Sequence, residues 1–118
     1  MNIKVVVFSL VMTASMGVQG VSFDTGLSLL KSCEADPDTS GTFFEQGFCA
    51  GYIVSVHDTV ATLAHWEGFA EYICPPEGVT SGQFRKVVVK HLNENPEKLH
   101  LNAGSLVLNA LSEAFPCE

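Results

Sequence analysis

The 118-residue chain carries 13 acidic residues against 6 basic ones, a formal net charge of −7, with 47% hydrophobic residues and four cysteines. That balance excludes a basic nucleic-acid-binding module and gives little attraction to an anionic membrane surface; it suits solubility or a basic protein partner. The length allows one domain with one modest core, and no repeat, low-complexity tract or Gly/Ser linker divides it.

Residues 1–20 read as an export leader. Met1–Lys4 gives a short positive n-region, Val5–Met16 an uncharged, mostly apolar run, and Val18 and Gly20 flank Gln19 in the small-x-small arrangement of a signal-peptidase site. The run is shorter than the roughly 20 apolar residues needed to span a bilayer as a helix. Leu30-Lys31-Ser32-Cys33 is no lipobox, because Lys31 is charged and Cys33 lies far from the apolar run. The expected product is a single periplasmic domain, residues 21–118, with no membrane attachment after cleavage.

The first helix is expected over Phe23–Cys33, with Phe23, Leu27, Leu30 and Cys33 on one face and Asp24 as its N-cap. Asp36-Pro37-Asp38 stops it, and Asp36–Gly41 is a turn-rich loop. The second helix is expected to start at Thr42, with Glu45 completing a capping box. Phe48, Cys49, Tyr52, Ile53, Val56, Val60 and Leu63 form its buried stripe. Gly47 and Gly51, four apart, suggest close approach of another helix, since glycine otherwise costs about 1 kcal/mol each in a helix.

His65–Gly78 reads as an aromatic, acidic connector, ended by Pro75-Pro76. Thr80 and Gln83 form a second capping box, and Phe84, Val87, Val88, His91 and Leu92 make a helical stripe. Val87-Val88-Val89 alone would favour a strand, but the longer period outweighs it. Asn93–Asn102 is a polar turn around Pro96. The last helix carries Ala103, Leu106, Val107, Ala110, Leu111, Ala114 and Phe115 on one face and ends at Pro116. With no period-two alternation, the fold class is all-α: a four-to-five-helix bundle stapled by two disulfides.

An even cysteine count behind a leader reads as a disulfide framework, with three possible pairings among Cys33, Cys49, Cys74 and Cys117. Antiparallel packing of the first two and last two helices favours Cys33–Cys49 with Cys74–Cys117. Cys33–Cys117 with Cys49–Cys74 is the competing pairing. The favoured loops would contribute roughly 3 and about 4 kcal/mol.

The sequence gives no basis for catalysis, a metal or a cofactor. His65-Trp66-Glu67 matches half of a zinc-deaminase signature, but Cys74 is followed by two prolines rather than by a second cysteine. A cysteine nucleophile beside His57, His65, His91 or His100 would need a free thiol. His57 and Asp58, adjacent on a helix, point about 100° apart and are not expected to form a dyad. His91, on an apolar stripe, is expected to be a packed, hydrogen-bonded core residue.

Leu29-Leu30-x-x-Cys33, Phe48-Cys49-x-Gly51-Tyr52-Ile53 and Val56-x-Asp58 resemble the first half of the Rap/Tai family of type VI secretion immunity proteins. Cys74-Pro75-x-x-Gly78-Val79-Thr80-x-x-Gln83, Val87-Val88, Leu92, Asn95-Pro96-Glu97, His100 and Leu106-Val107-x-x-Ala110-Leu111-x-x-Ala114-Phe115-Pro116-Cys117 match the second half. Two residues depart from the pattern: Ser55 stands in place of an expected glycine, and Asn102 where a proline is more common. The resemblance implies a small periplasmic helical protein, commonly a homodimer, that blocks a peptidoglycan-cleaving amidase and needs no active site of its own.

The surface expected to bind that partner is His65–Glu77, where Trp66, Phe69 and Tyr72 alternate with Glu67, Glu71 and Glu77; Asn93–Leu101 with Glu97 is a second candidate. The alternative is that the three aromatics simply cover the core. A rival function is a periplasmic acid-stress chaperone, or another disulfide-bonded helical binding protein. Such chaperones resemble a single-disulfide design, which four cysteines do not match.

Overall fold

Thr25, not Asp24, begins the first helix. Its hydroxyl accepts the Ser28 N–H at 3.3 Å while Ser28 Oγ accepts the Thr25 N–H at 3.0 Å, a reciprocal capping box. The computed structural model describes residues 24–39 and 41–118, so the leader and Phe23 lie outside the described residues. α1 then runs Gly26–Cys33 and buries Gly26, Leu29, Leu30 and Cys33, spaced as one face. Leu27, expected on that face, falls off it and is exposed.

α2 spans Thr42–Glu67. Its start differs from the expected capping box. Gly41 occupies the N-cap in a left-handed conformation (φ 101°) with no side-chain cap. Thr42 Oγ1 instead donates back to the carbonyls of Asp36 and Thr39, closing the preceding loop. Glu45 accepts from Ser32 Oγ of α1 at 2.5 Å, so its carboxylate serves helix–helix packing rather than the cap.

Only Cys49 and Ile53 of the expected α2 stripe are fully buried; Phe48, Tyr52 and Val56 pack against the core edge and Leu63 is exposed. The reason is length. At 1.5 Å per residue α2 is about 39 Å long, and α1, α3 and α4, of 8, 14 and 12 residues, are too short to cover it. Among the described residues Gly47 and Gly51 mediate no close approach: a Cβ at either would meet nothing there within 4 Å.

α3, Ser81–Glu94, starts at the expected Thr80/Gln83 capping box and buries Phe84, Val88 and Leu92. A 3-10 turn, Pro96–Lys98, leads to α4, Ala103–Ala114, capped by Asn102. Each of the four helices packs on the other three, around Leu29, Ile53, Val88, Leu92, Leu106 and Leu111. Gly26 sits at the tightest crossing, where a Cβ would lie 2.4 Å from Leu106 Cδ1 and 3.2 Å from the Leu99 carbonyl. No strand occurs among the described residues, and the fold is an all-α bundle.

Both disulfides take the favoured pairing, Cys33–Cys49 and Cys74–Cys117. The first is inside the core, its cysteines at most 1% exposed, and joins α1 to α2. The second ties the segment after α2 to the end of α4. Arg85 of α3 reaches across to α1 and donates to the Cys33 carbonyl.

Two histidines differ from expectation. His57 Nδ1 and Asp58 Oδ1 do meet, at 3.1 Å, because the exposed Asp58 side chain is free to swing toward its neighbour. The His57 ring also lies edge-on to Phe84. His91 is largely buried, as expected, with Nδ1 3.5 Å from Glu113 Oε2, but its buried Nε2 has no hydrogen-bond partner among the described residues.

Candidate partner-binding surface

Gly68 ends α2 in the left-handed region, at φ 68°. Glycine adopts this conformation without the Cβ penalty of other residues, so the chain can turn sharply off the helix. Residues 69–80 then form no helix or strand. Three ties hold the segment. Ile73 is buried in the core, the Cys74 N–H donates to the Phe115 carbonyl at 2.9 Å, and the Cys74–Cys117 disulfide closes the corner.

These ties press the backbone inward at residues 73 and 74 and leave the preceding aromatics outside. Trp66 is 77% exposed, Phe69 60% and Tyr72 56%. They do not cover the core; Ile73 does that. Trp66, in the last turn of α2, borders shallow grooves beside Asp58, Thr62 and His65. Phe69 and Tyr72 fold back toward α2 and α4, where Val60, Leu63, Phe69, Ala70, Tyr72 and Leu108 line a half-open, mostly apolar cavity of about 210 Å³.

Glu67, Glu71 and Glu77 are all exposed, and residues 55–80 contain no lysine or arginine. Glu71 Oε2 lies 3.6 Å from Cys74 Sγ, but both cysteines of that corner are disulfide-bonded and offer no thiolate to a metal. Glu97 stands apart from this set. It lies in the 3-10 turn, which is held against the start of α1 through the Leu27 N–H to Leu99 carbonyl and Gly26 N–H to Leu101 carbonyl bonds, each 2.9 Å. Among the described residues no hydrogen bond or ion pair joins Glu97 to Trp66, Glu67, Glu71, Tyr72 or Glu77.

A second groove adjoins the cavity along the α2–α4 seam, lined by Tyr52, Ser55, Val56, Thr59, Asn102 and Ser105 among others. Burial and the nearby Asp24 carboxylate push the Tyr52 phenol up from its ordinary value, while a hydrogen bond with the Gly104 backbone opposes them.

Sequence reasoning missed the cavity walls Ala70 and Leu108 and the anchor Ile73. One signal was present for Leu108: it is an apolar residue off the predicted stripe of its own helix, which marks a second apolar contact. Ile73 carried no comparable mark, being one apolar residue in an irregular connector.

The family model of the Rap1a immunity proteins matches the chain over residues 25–117. No curated protein matches it.

Proposed function

The chain belongs to the Rap1a immunity protein family, and from that premise we propose that it is an exported periplasmic immunity protein that binds and occludes a peptidoglycan-cleaving amidase delivered by type VI secretion. Its action is occupancy rather than catalysis. The observation that carries the reading is the surface at the end of α2. Leu63, Trp66, Phe69 and Tyr72 are exposed, and carboxylates alternate with them in the sequence. Exposed aromatics flanked by charge are the composition of a protein–protein hot spot.

The same protein forms a homodimer in this proposal, through the opposite end of α2. Phe43 and Phe44 are 79% and 75% exposed there, and Gly47 and Gly51 open outward, so a second helix can approach closely. The acidic surface of residues 55–80 suits a basic effector, because complementary charge raises the rate of encounter.

The reading is tested by combining the mature protein with a candidate amidase and following both complex formation and peptidoglycan hydrolysis. Equimolar immunity protein should abolish hydrolysis. Full hydrolysis with no complex at micromolar concentration would reject that amidase as the target, and failure across the amidases encoded beside this chain would reject the immunity reading. Light scattering on the mature protein reports the dimer, which Gly51→Glu should dissociate. N-terminal sequencing of periplasmic protein reports export and cleavage.

A further inference from the structure

We propose that the apolar cavity between α2, α4 and the 69–72 segment is a socket for a single large apolar side chain presented between basic residues of a protein partner. The proposal rests on the partner-binding reading above for its biological context, but its chemistry stands on the cavity itself.

The walls are almost wholly apolar: Val60 and Leu63 from α2, Leu108 from α4, and Phe69, Ala70 and the ring of Tyr72 from the segment after Gly68. At about 210 Å³ it is smaller than the roughly 300–1,000 Å³ of small-molecule sites. It therefore fits one side chain rather than a cofactor or metabolite. So little polar surface faces the cavity that desolvation favours an apolar occupant.

Charge decides what flanks that occupant. Asp58, Glu67, Glu71 and Glu77 all lie between residues 55 and 80, where lysine and arginine are absent, while Arg85, Lys86 and Lys90 are gathered on α3. An apolar knob between acidic neighbours would be repelled from this end of α2; one between lysines or arginines is attracted. The backbone around the socket is fixed at Ile73 and Cys74, so little ordering is required on binding.

The experiment uses the disulfide-bonded protein and a capped Lys-Lys-Leu-Lys-Lys peptide, with chemical shifts followed by NMR. The leucine peptide should shift Leu63, Tyr72 and Leu108 resonances saturably. The Ser-centred peptide and the Glu-Glu-Leu-Glu-Glu peptide should bind at least ten-fold more weakly. Ala70→Phe, which fills the cavity from an exposed loop position, and Leu63→Glu should each abolish the response with the helical circular dichroism unchanged. Equal response to the serine peptide, or shifts centred elsewhere, would overturn the socket. So would dissociation of a dimer by Ala70→Phe with no peptide response, which would assign the cavity to a second copy. A positive peptide result with no amidase bound would leave the socket standing and remove only the immunity reading.

Discussion

Thr25 and Asn102 pair across an antiparallel backbone bridge, so the caps of α1 and α4 are the same structural joint. Each also caps its own helix by side chain: Thr25 Oγ1 accepts from Ser28 N, and Asn102 Oδ1 accepts from Ser105 N at 2.8 Å. Around them the Gly26 N–H donates to the Leu101 carbonyl and the Ala103 N–H to the Asp24 carbonyl. The departure from the family pattern at Asn102 thus has a physical role, since proline has no side-chain acceptor to offer Ser105.

Asn102→Ala removes that acceptor and leaves the first turn of α4 uncapped. Loss of an N-cap costs about 1 kcal/mol. A urea titration should show a lower midpoint with an unchanged slope, and an unchanged midpoint would mean that the backbone bridge alone sets the joint.

Gly26→Ala should also destabilise, although alanine is the better helix former. The added Cβ meets Leu106 Cδ1 at 2.4 Å, and behind it the backbone of Leu99 at 3.2–3.3 Å cannot yield easily. Overpacking of this kind costs about 1–3 kcal/mol, and a lower thermal midpoint checks it. The same substitution at Gly47, where no atom lies within 4 Å, should leave the free protein as stable or slightly more stable.

The two disulfides should fail differently. Replacing Cys33 and Cys49 by alanine opens the core between α1 and α2 and should cost about 2–5 kcal/mol. Replacing Cys74 and Cys117 releases the segment that carries Phe69 and Tyr72. Limited proteolysis should then cut within residues 69–80 while α1 to α3 stay protected. Uniform cleavage in both variants would deny the division of labour.

Tyr52 ties stability to alkaline pH. Burial first, and the Asp24 carboxylate second, raise its phenol above the ordinary value of 10.0. The folded state therefore holds the proton more tightly than the unfolded chain. Its contribution is complete below the unfolded value and is lost as pH rises through the folded one. Urea midpoints for the wild type should fall as pH rises past the ordinary phenol value, and Tyr52→Phe should flatten that fall.

Trp66→Ala separates binding from folding. At 77% exposure the indole supports little of the core, so stability should change by no more than about 0.5 kcal/mol. As an interface anchor its loss should weaken effector binding by at least ten-fold, roughly 1.4 kcal/mol or more. Unchanged affinity, measured calorimetrically, would remove Trp66 from the interface.

Much of the fold was legible because its signals are local. The Thr80/Gln83 capping box, the Phe84–Val88–Leu92 spacing and the stop at Pro116 each follow from residues within a few turns of one another. Errors arose where a local motif met a distant competitor. Glu45 had the spacing of a capping box, but Ser32 of α1 holds its carboxylate. Gly47 and Gly51 had the spacing of a helix crossing, but no helix among the described residues reaches them.

The candidate surface was half legible. The sequence alone determined the alternation of Trp66, Phe69 and Tyr72 with Glu67, Glu71 and Glu77, because composition and order are all that such a pattern needs. It also determined the caps, the helical periods and the even set of cysteines. Only the tertiary structure decided that these aromatics stay outside while Ile73 goes in, that Leu108 of α4 closes a socket with Phe69 and Tyr72, and that α2 outruns its neighbours. Exposure depends on how far every other element extends, and that is a property of the assembled helices rather than of any one segment.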